Sequence, residues 1–141
     1  MKYIFFILVI FFSVVIRAQV TEVSRKDSTQ SSEPVISKTL YGTASYYADK
    51  FNGRQTANGE IYNSEKMTAA CNVLPLGTWI RVTNLSNNRS VIVKTNDRLH
   101  ARMKRIVDLS RAAALKLGYI NKGPTKVKVE VLKKVETTKS R

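Results

Sequence analysis

The 141-residue chain carries 24 Lys and Arg against 10 Asp and Glu, a formal net charge of +14. That length suits one domain of moderate core with extensions and leaves little room for two. The single cysteine, Cys71, excludes an internal disulfide, and the charge points to an anionic surface or polymer as partner.

Residues 1–18 have the shape of a secretory signal peptide. Lys2 supplies a positive start, Tyr3 to Ile16 is almost unbroken apolar sequence, and Arg17-Ala18 precede a polar region. The apolar run falls short of the roughly 20 residues of a membrane span, so no stable span is expected after processing. A cut after Ala18 would place Ile16 where a small residue is usual, which keeps an uncleaved anchor as the alternative. Export sets nucleic acid aside as a partner, and the chain has no aromatic-interleaved basic motif and no recognition helix. Residues 19–38, rich in Ser, Thr, Glu and Lys without apolar periodicity, read as a flexible polar linker. Residues 133–141 form a basic tail, leaving 39–132 as the folded domain.

Within that domain, Leu40 to Ala48 is expected as a first strand. Residues 51–60 hold two Asn-Gly pairs and predict a loop of tight turns. Arg54, Thr56 and Glu60 are the side chains there able to hold a ligand, with solvated loop polarity as the plain alternative. Met67 to Cys71 suits a buried strand. Thr78 to Leu85 alternates, with Ile80 and Val82 opposed to Trp79, Arg81 and Thr83. Ser86-Asn87-Asn88 predicts a hairpin turn in which both asparagines enter the left-handed region.

The returning strand organises the chain. Val91, Val93 and Thr95 share one parity, and Asp97 continues it, so its carboxyl is expected to point inward at the strand end. A partly desolvated carboxyl there suits a general acid; the competing reading is a turn aspartate bonding its own backbone. Ser110 is placed to cap a helix over Arg111 to Leu117 that ends at Gly118, with Ala112 and Leu115 towards the sheet. Lys126 to Leu132 alternates, Val127, Val129 and Val131 inward and Lys126, Lys128 and Glu130 outward. Short strands, frequent turns and one or two short helices indicate a mainly β fold, a compact barrel.

Several of these stretches together resemble one family. They are Gly-Thr-Ala-Ser-Tyr-Tyr at 42–47, Phe-Asn-Gly-Arg at 51–54, Thr-Ala-Asn-Gly-Glu at 56–60 and Met-Thr-Ala-Ala at 67–70. Leu-Pro-Leu-Gly-Thr at 74–78, Val-Thr-Asn-Leu at 82–85, Asn-Asp-Arg at 96–98 and Val-Asp-Leu-Ser-Arg-Ala-Ala-Ala at 107–114 follow in order. The resemblance is to the rare lipoprotein A group of bacterial lytic transglycosylases. It implies a six-stranded double-psi β-barrel related to that of expansins. It also implies cleavage of the MurNAc-β-1,4-GlcNAc bond of peptidoglycan glycan strands, stripped of peptides, in the periplasm or cell envelope. No metal or cofactor is implied, and a monomer is expected. Hydrolysis of a glycoside usually takes two carboxyl groups. In transglycosylation the sugar's C6 hydroxyl attacks, so one group suffices, and the resemblance assigns that role to Asp97. Thr56, Glu60, Cys71, Asn96 and Arg98 are expected to contact the substrate.

The chain also departs from the family. Cys71 stands where relatives keep histidine after Thr-Ala-Ala, and is expected beside the groove within reach of Asp97, where Cys71→His would speed cleavage. Leu99-His100 replaces the Gly-Pro that commonly follows Asn-Asp-Arg; His100 is read as a surface histidine. No lipid-attachment cysteine follows the apolar run. The alternative function is a glycan-binding module that does not cut, as expansin-like barrels are thought to act.

Overall fold

A computed structural model describes residues 33–133. The expected signal peptide, most of the linker and all but the first residue of the basic tail lie outside the described residues. Six strands form one closed barrel: β1 (Ile36–Tyr46), β2 (Thr68–Ala70), β3 (Trp79–Asn84), β4 (Ser90–Asp97), β5 (Val107–Leu109) and β6 (Thr125–Leu132). Their order around the barrel is β1-β5-β2-β4-β3-β6. The β1–β5 and β2–β4 pairs are parallel and the other four are antiparallel. The six-stranded barrel implied by the resemblance is therefore present. One α-helix, α1 (Arg111–Leu117), and one 3₁₀ turn at Asp49–Phe51 complete it.

Alternation explains most of the interior. Ile80, Val82, Val93, Val107, Val127 and Val129 are at most 1% exposed, and burying each such side chain contributes about 1.5–3 kcal/mol. The helix forms where its caps allow. The Ser110 hydroxyl accepts from Ala113 N, and Gly118 takes φ +76° while its N–H closes on Ala114 and Leu115, a left-handed stop that glycine adopts without a Cβ clash.

Four expectations are corrected. First, β1 begins at Ile36, because Ile36 pairs with Leu132 and Lys38 with Val131, and it ends at Tyr46. Second, the buried helix face is Ala113, Ala114 and Leu117, while Leu115 is 59% exposed. Third, Glu130 is buried on the outer side of β6, between Thr39 and Arg81 in register and 3.2 Å from Lys128 Nζ. Fourth, only Asn88 of the hairpin turn has positive φ. Asn87 instead accepts from Arg89 N and donates to Leu117 O at 2.8 Å, tying the turn to the end of α1.

Gly42 marks a close approach. A Cβ on it would lie 2.7 Å from Ile106 Cγ2 and 2.9 Å from Ile106 Cγ1. The Ile106 main chain is held there by its N–H bond to Thr43 O, so the side chain would have to yield. Gly42→Ala is expected to cost about 1–3 kcal/mol by overpacking. Adding Ile106→Ala should return part of the lost melting temperature; a melt unchanged by Gly42→Ala alone would refute the close contact.

Candidate active site

A groove of about 650 Å³ opens at the end of the barrel where β1, β2, β4 and β5 meet. Its floor is one row of paired residues: Asp108 on β5 beside Ala70 on β2, and Ala70 beside Asp97 on β4. Ala70 keeps the floor low between two carboxyl-bearing positions. One wall is the 3₁₀ turn and its loop, with Lys50, Phe51 and Arg54. The other is the segment after β4, with Arg98, Leu99, His100, Met103 and Arg105.

A bulge aims Asp97. The β2–β4 register passes from Ala69↔Thr95 to Ala70↔Asp97, so Asn96 is an extra residue. Thr95 and Asn96 are consequently both buried, and Asp97 is out of phase with Val91 and Val93. The parity argument for Asp97 is thus corrected: the bulge, not strand alternation, turns it into the groove. Its Oδ2 accepts from the Tyr47 hydroxyl at 2.7 Å, and Oδ1 accepts from Ala57 N at 2.9 Å and Arg98 N at 2.8 Å. The Arg98 bond is the local one expected of a turn aspartate. The other two reach across 40 and 50 residues and join the loop and the first strand's end to the carboxyl.

Tyr47 is held in place by its ring. It stacks on Tyr62 at 4.4 Å between centroids and meets the edge of Phe51 at 5.8 Å. Burial above all, then the bond to Asp97 and the negative charges of Asp97 and Asp108, push its phenol well above the usual range. Burial also raises Tyr62. Asp108, 9% exposed, is engaged through both oxygens by Arg105, Nε to Oδ1 and NH2 to Oδ2, which raises the guanidinium pKa further. Lys50 and Arg54 lie 5.5 and 5.3 Å from the Phe51 ring centroid, a cation–π spacing.

The other expected site residues divide. Arg98 lines the groove, but its guanidinium donates to Leu74 O at 2.7 Å and to Cys71 O, bracing the loop beneath. His100, read as a surface residue, is exposed and does line the groove. Thr56, Glu60 and Asn96 do not line it. The Thr56 hydroxyl lies 2.7 Å from Asn58 Oδ1, and the Glu60 carboxylate accepts from Asn58 Nδ2 and Asn96 Nδ2 at 2.9 and 3.0 Å. The network pins the 56–60 loop to β4 and so presents Ala57 N to Asp97. Cys71 does not line the groove either. It is 2% exposed and belongs to the hydrophobic core, where a thiol packs as a small apolar group.

The bonds from Asn96 first and Asn58 second hold the Glu60 carboxyl below its usual range. A depressed carboxyl contributes stability above its unfolded pKa and loses it as pH falls through the folded value. Asn96→Ala should return Glu60 towards an ordinary titration, followed by carboxyl NMR, and the part of the loop's stability that is lost on acidification should shrink with it. An unmoved Glu60 titration would show the network to be weak.

Tyr46, Tyr47, Tyr62, Arg105 and Asp108 were not singled out as groove residues. The Tyr-Tyr pair closing the 42–47 motif and the Asp of Val-Asp-Leu-Ser were visible signals for three of them. Among the described residues no three His, Cys, Asp or Glu side chains converge as metal ligands.

The closed mixed barrel, with a carboxyl at its bulged strand end and a groove lined by aromatic rings and cations, defines a protein of the double-psi barrel class. Residues 39–129 match the family described as lytic transglycolase, and the chain belongs to that family. It is 53% identical over 97 residues to the endolytic peptidoglycan transglycosylase RlpA of Pseudomonas aeruginosa, covering 69% of this chain and 28% of that protein. The corresponding protein of Haemophilus influenzae is 48% identical over 105 residues, covering 74% and 37%. The chain thus spans about a third of the length of these relatives. Among solved structures, it is similar to the Streptomyces papain inhibitor, with a TM-score of 0.57, 21% identity and coverage of 72% of this chain and 100% of that one. The apo expansin of Clavibacter michiganensis gives 0.56, 20%, 68% and 51%. Identity at that level shows the shared fold.

Proposed function

We propose that the domain is a peptidoglycan lytic transglycosylase cutting the MurNAc-β-1,4-GlcNAc bond within glycan strands and leaving a 1,6-anhydro-MurNAc end. Asp97 acts first as general acid on the leaving oxygen and then as base towards the C6 hydroxyl. One observation supports this most: two carboxylates line the groove, and the second, Asp108, is occupied through both oxygens by Arg105. That leaves one carboxyl for proton transfer, enough for intramolecular attack and short of the pair that hydrolysis uses. The rings of Tyr46 and Phe51 offer apolar faces to sugars, and Lys50, Arg54 and Arg98 suit the acidic substituents of muramic acid.

The relatives, endolytic peptidoglycan transglycosylases, support the same reading. Release of anhydro-muramic products from purified, amidase-treated glycan strands, read by chromatography and mass spectrometry, is the test. Strands retained without such products would instead establish the glycan-binding reading, which the presence of Cys71 where the family keeps histidine favours. We also propose export to the periplasm or cell envelope, on the apolar segment 3–16. A full-length cytoplasmic protein on fractionation would overturn it.

A further inference from the structure

The two oxygens of Asp97 have chemically different partners. Oδ1 accepts only from main-chain N–H groups, Ala57 at 2.9 Å and Arg98 at 2.8 Å. An amide N–H donates and cannot accept, so a proton on Oδ1 would face two donors. Oδ2 faces the Tyr47 hydroxyl at 2.7 Å, and a phenol both donates and accepts. We propose that Tyr47 is a positioning residue that confines the reactive proton of Asp97 to Oδ2 and holds that oxygen at the groove. The kinetic part of this proposal rests on the transglycosylase reading; the hydrogen-bonding part does not.

With Asp97 ionised, Tyr47 donates to Oδ2. With Oδ2 protonated, the same two oxygens stay in contact and the bond runs the other way. Only the hydroxyl rotates, and no proton leaves Tyr47. In the reaction the bond between C1 and the leaving oxygen breaks, its electron pair stays on that oxygen, and the oxygen takes the Oδ2 proton. The C6 oxygen bonds to C1 and its proton passes to Oδ2, which restores the acid.

Tyr47 suits this role because its phenol, raised by burial and by the neighbouring carboxylates, stays neutral throughout. Its stack on Tyr62 and its edge contact with Phe51 keep the ring from swinging away. The charged and titratable groups facing it are Asp97 on β4, Asp108 with Arg105 at β5, and Tyr62 on the loop. Arg98, His100, Lys50 and Arg54 line the same groove. Among the described residues none of these donates a side-chain hydrogen bond to Asp97 except Tyr47.

Tyr47→Phe keeps the stacked ring and removes only the hydroxyl. Its kcat for anhydro-product release is expected to fall about 10²-fold, with KM within about twofold. Unchanged kinetics would overturn the proposal, and so would a raised KM at constant kcat, which would make the hydroxyl a substrate contact.

A second measurement needs no substrate. At neutral pH, where the phenol is neutral in both proteins, the Tyr47 Cζ resonance followed by NMR should differ between wild type and Asp97→Asn, since the hydroxyl donates to Oδ2 in one and accepts from the amide in the other. Identical Tyr47 Cζ shifts would sink the proposal whether or not the domain cleaves glycan. The expected shift difference, with a wild-type domain that releases no anhydro product, would overturn the reaction and leave the positioning of Asp97 supported.

Discussion

Asp97→Asn is expected to abolish release of anhydro products, a loss of about 10²–10⁴-fold or more from removing the acid and base, while glycan retention stays near the wild-type level. The substitution is close to isosteric and disturbs little else. An asparagine oxygen still accepts from Ala57 N and Arg98 N, which now bond Oδ1. The amide NH₂ in place of Oδ2 donates to the Tyr47 oxygen, which reverses its role. The loop, the tyrosine stack and the bulge should therefore persist, and an unchanged melting temperature would certify the comparison. Only the capacity to give and take a proton is lost. Cleavage that survives in the folded variant would remove Asp97 from the chemistry and shift attention to Asp108, the other carboxylate of the floor.

Much of the barrel was legible because period-two burial leaves a direct trace. Ile80 against Trp79 and Arg81, or Val127 and Val129 against Lys126, state their own faces. The helix was legible through its ends, Ser110 and Gly118, because capping chemistry is local. Its buried face was not, since a helix of seven residues with three adjacent alanines has no distinct apolar stripe, and the barrel chose Ala113 and Ala114. The candidate site was legible only in part, for a reason that recurs in it. Asp97 was found as a residue, but its orientation depends on the bulge at Asn96, and a bulge is a fact about two strands. Thr56 and Glu60 were visible as polar loop residues, yet whether such a group faces a ligand or a neighbouring asparagine is decided by tertiary contacts such as Asn96 Nδ2 to Glu60. Tyr47 and Asp97, 50 positions apart, meet only in the closed barrel.

The substitution Cys71→His carries the same lesson into energetics. By resemblance it should restore a groove histidine and speed cleavage. The structure leads to the opposite expectation, a loss of about 2–5 kcal/mol of stability and no gain in rate. Cys71 is 2% exposed, packed in the core, with its N–H given to Asp97 O and its carbonyl accepting from Arg98. An imidazole is larger than a thiol, and overpacking a filled core costs about 1–3 kcal/mol. It also brings two nitrogens that need partners. Among the described residues no buried side-chain polar atom lacks one already, so the ring arrives with none waiting, at about 1–3 kcal/mol for each unsatisfied group. Against a domain stability of about 5–15 kcal/mol, such a loss is visible as a lowered melting temperature. Because the strain falls on the segment that pairs with Asp97, the carboxyl should be less well placed and activity should drop with stability. Thermal denaturation and anhydro-product release measured on the same preparation decide the matter. A variant as stable as the wild type and faster would mean that residue 71 turns its side chain into the groove.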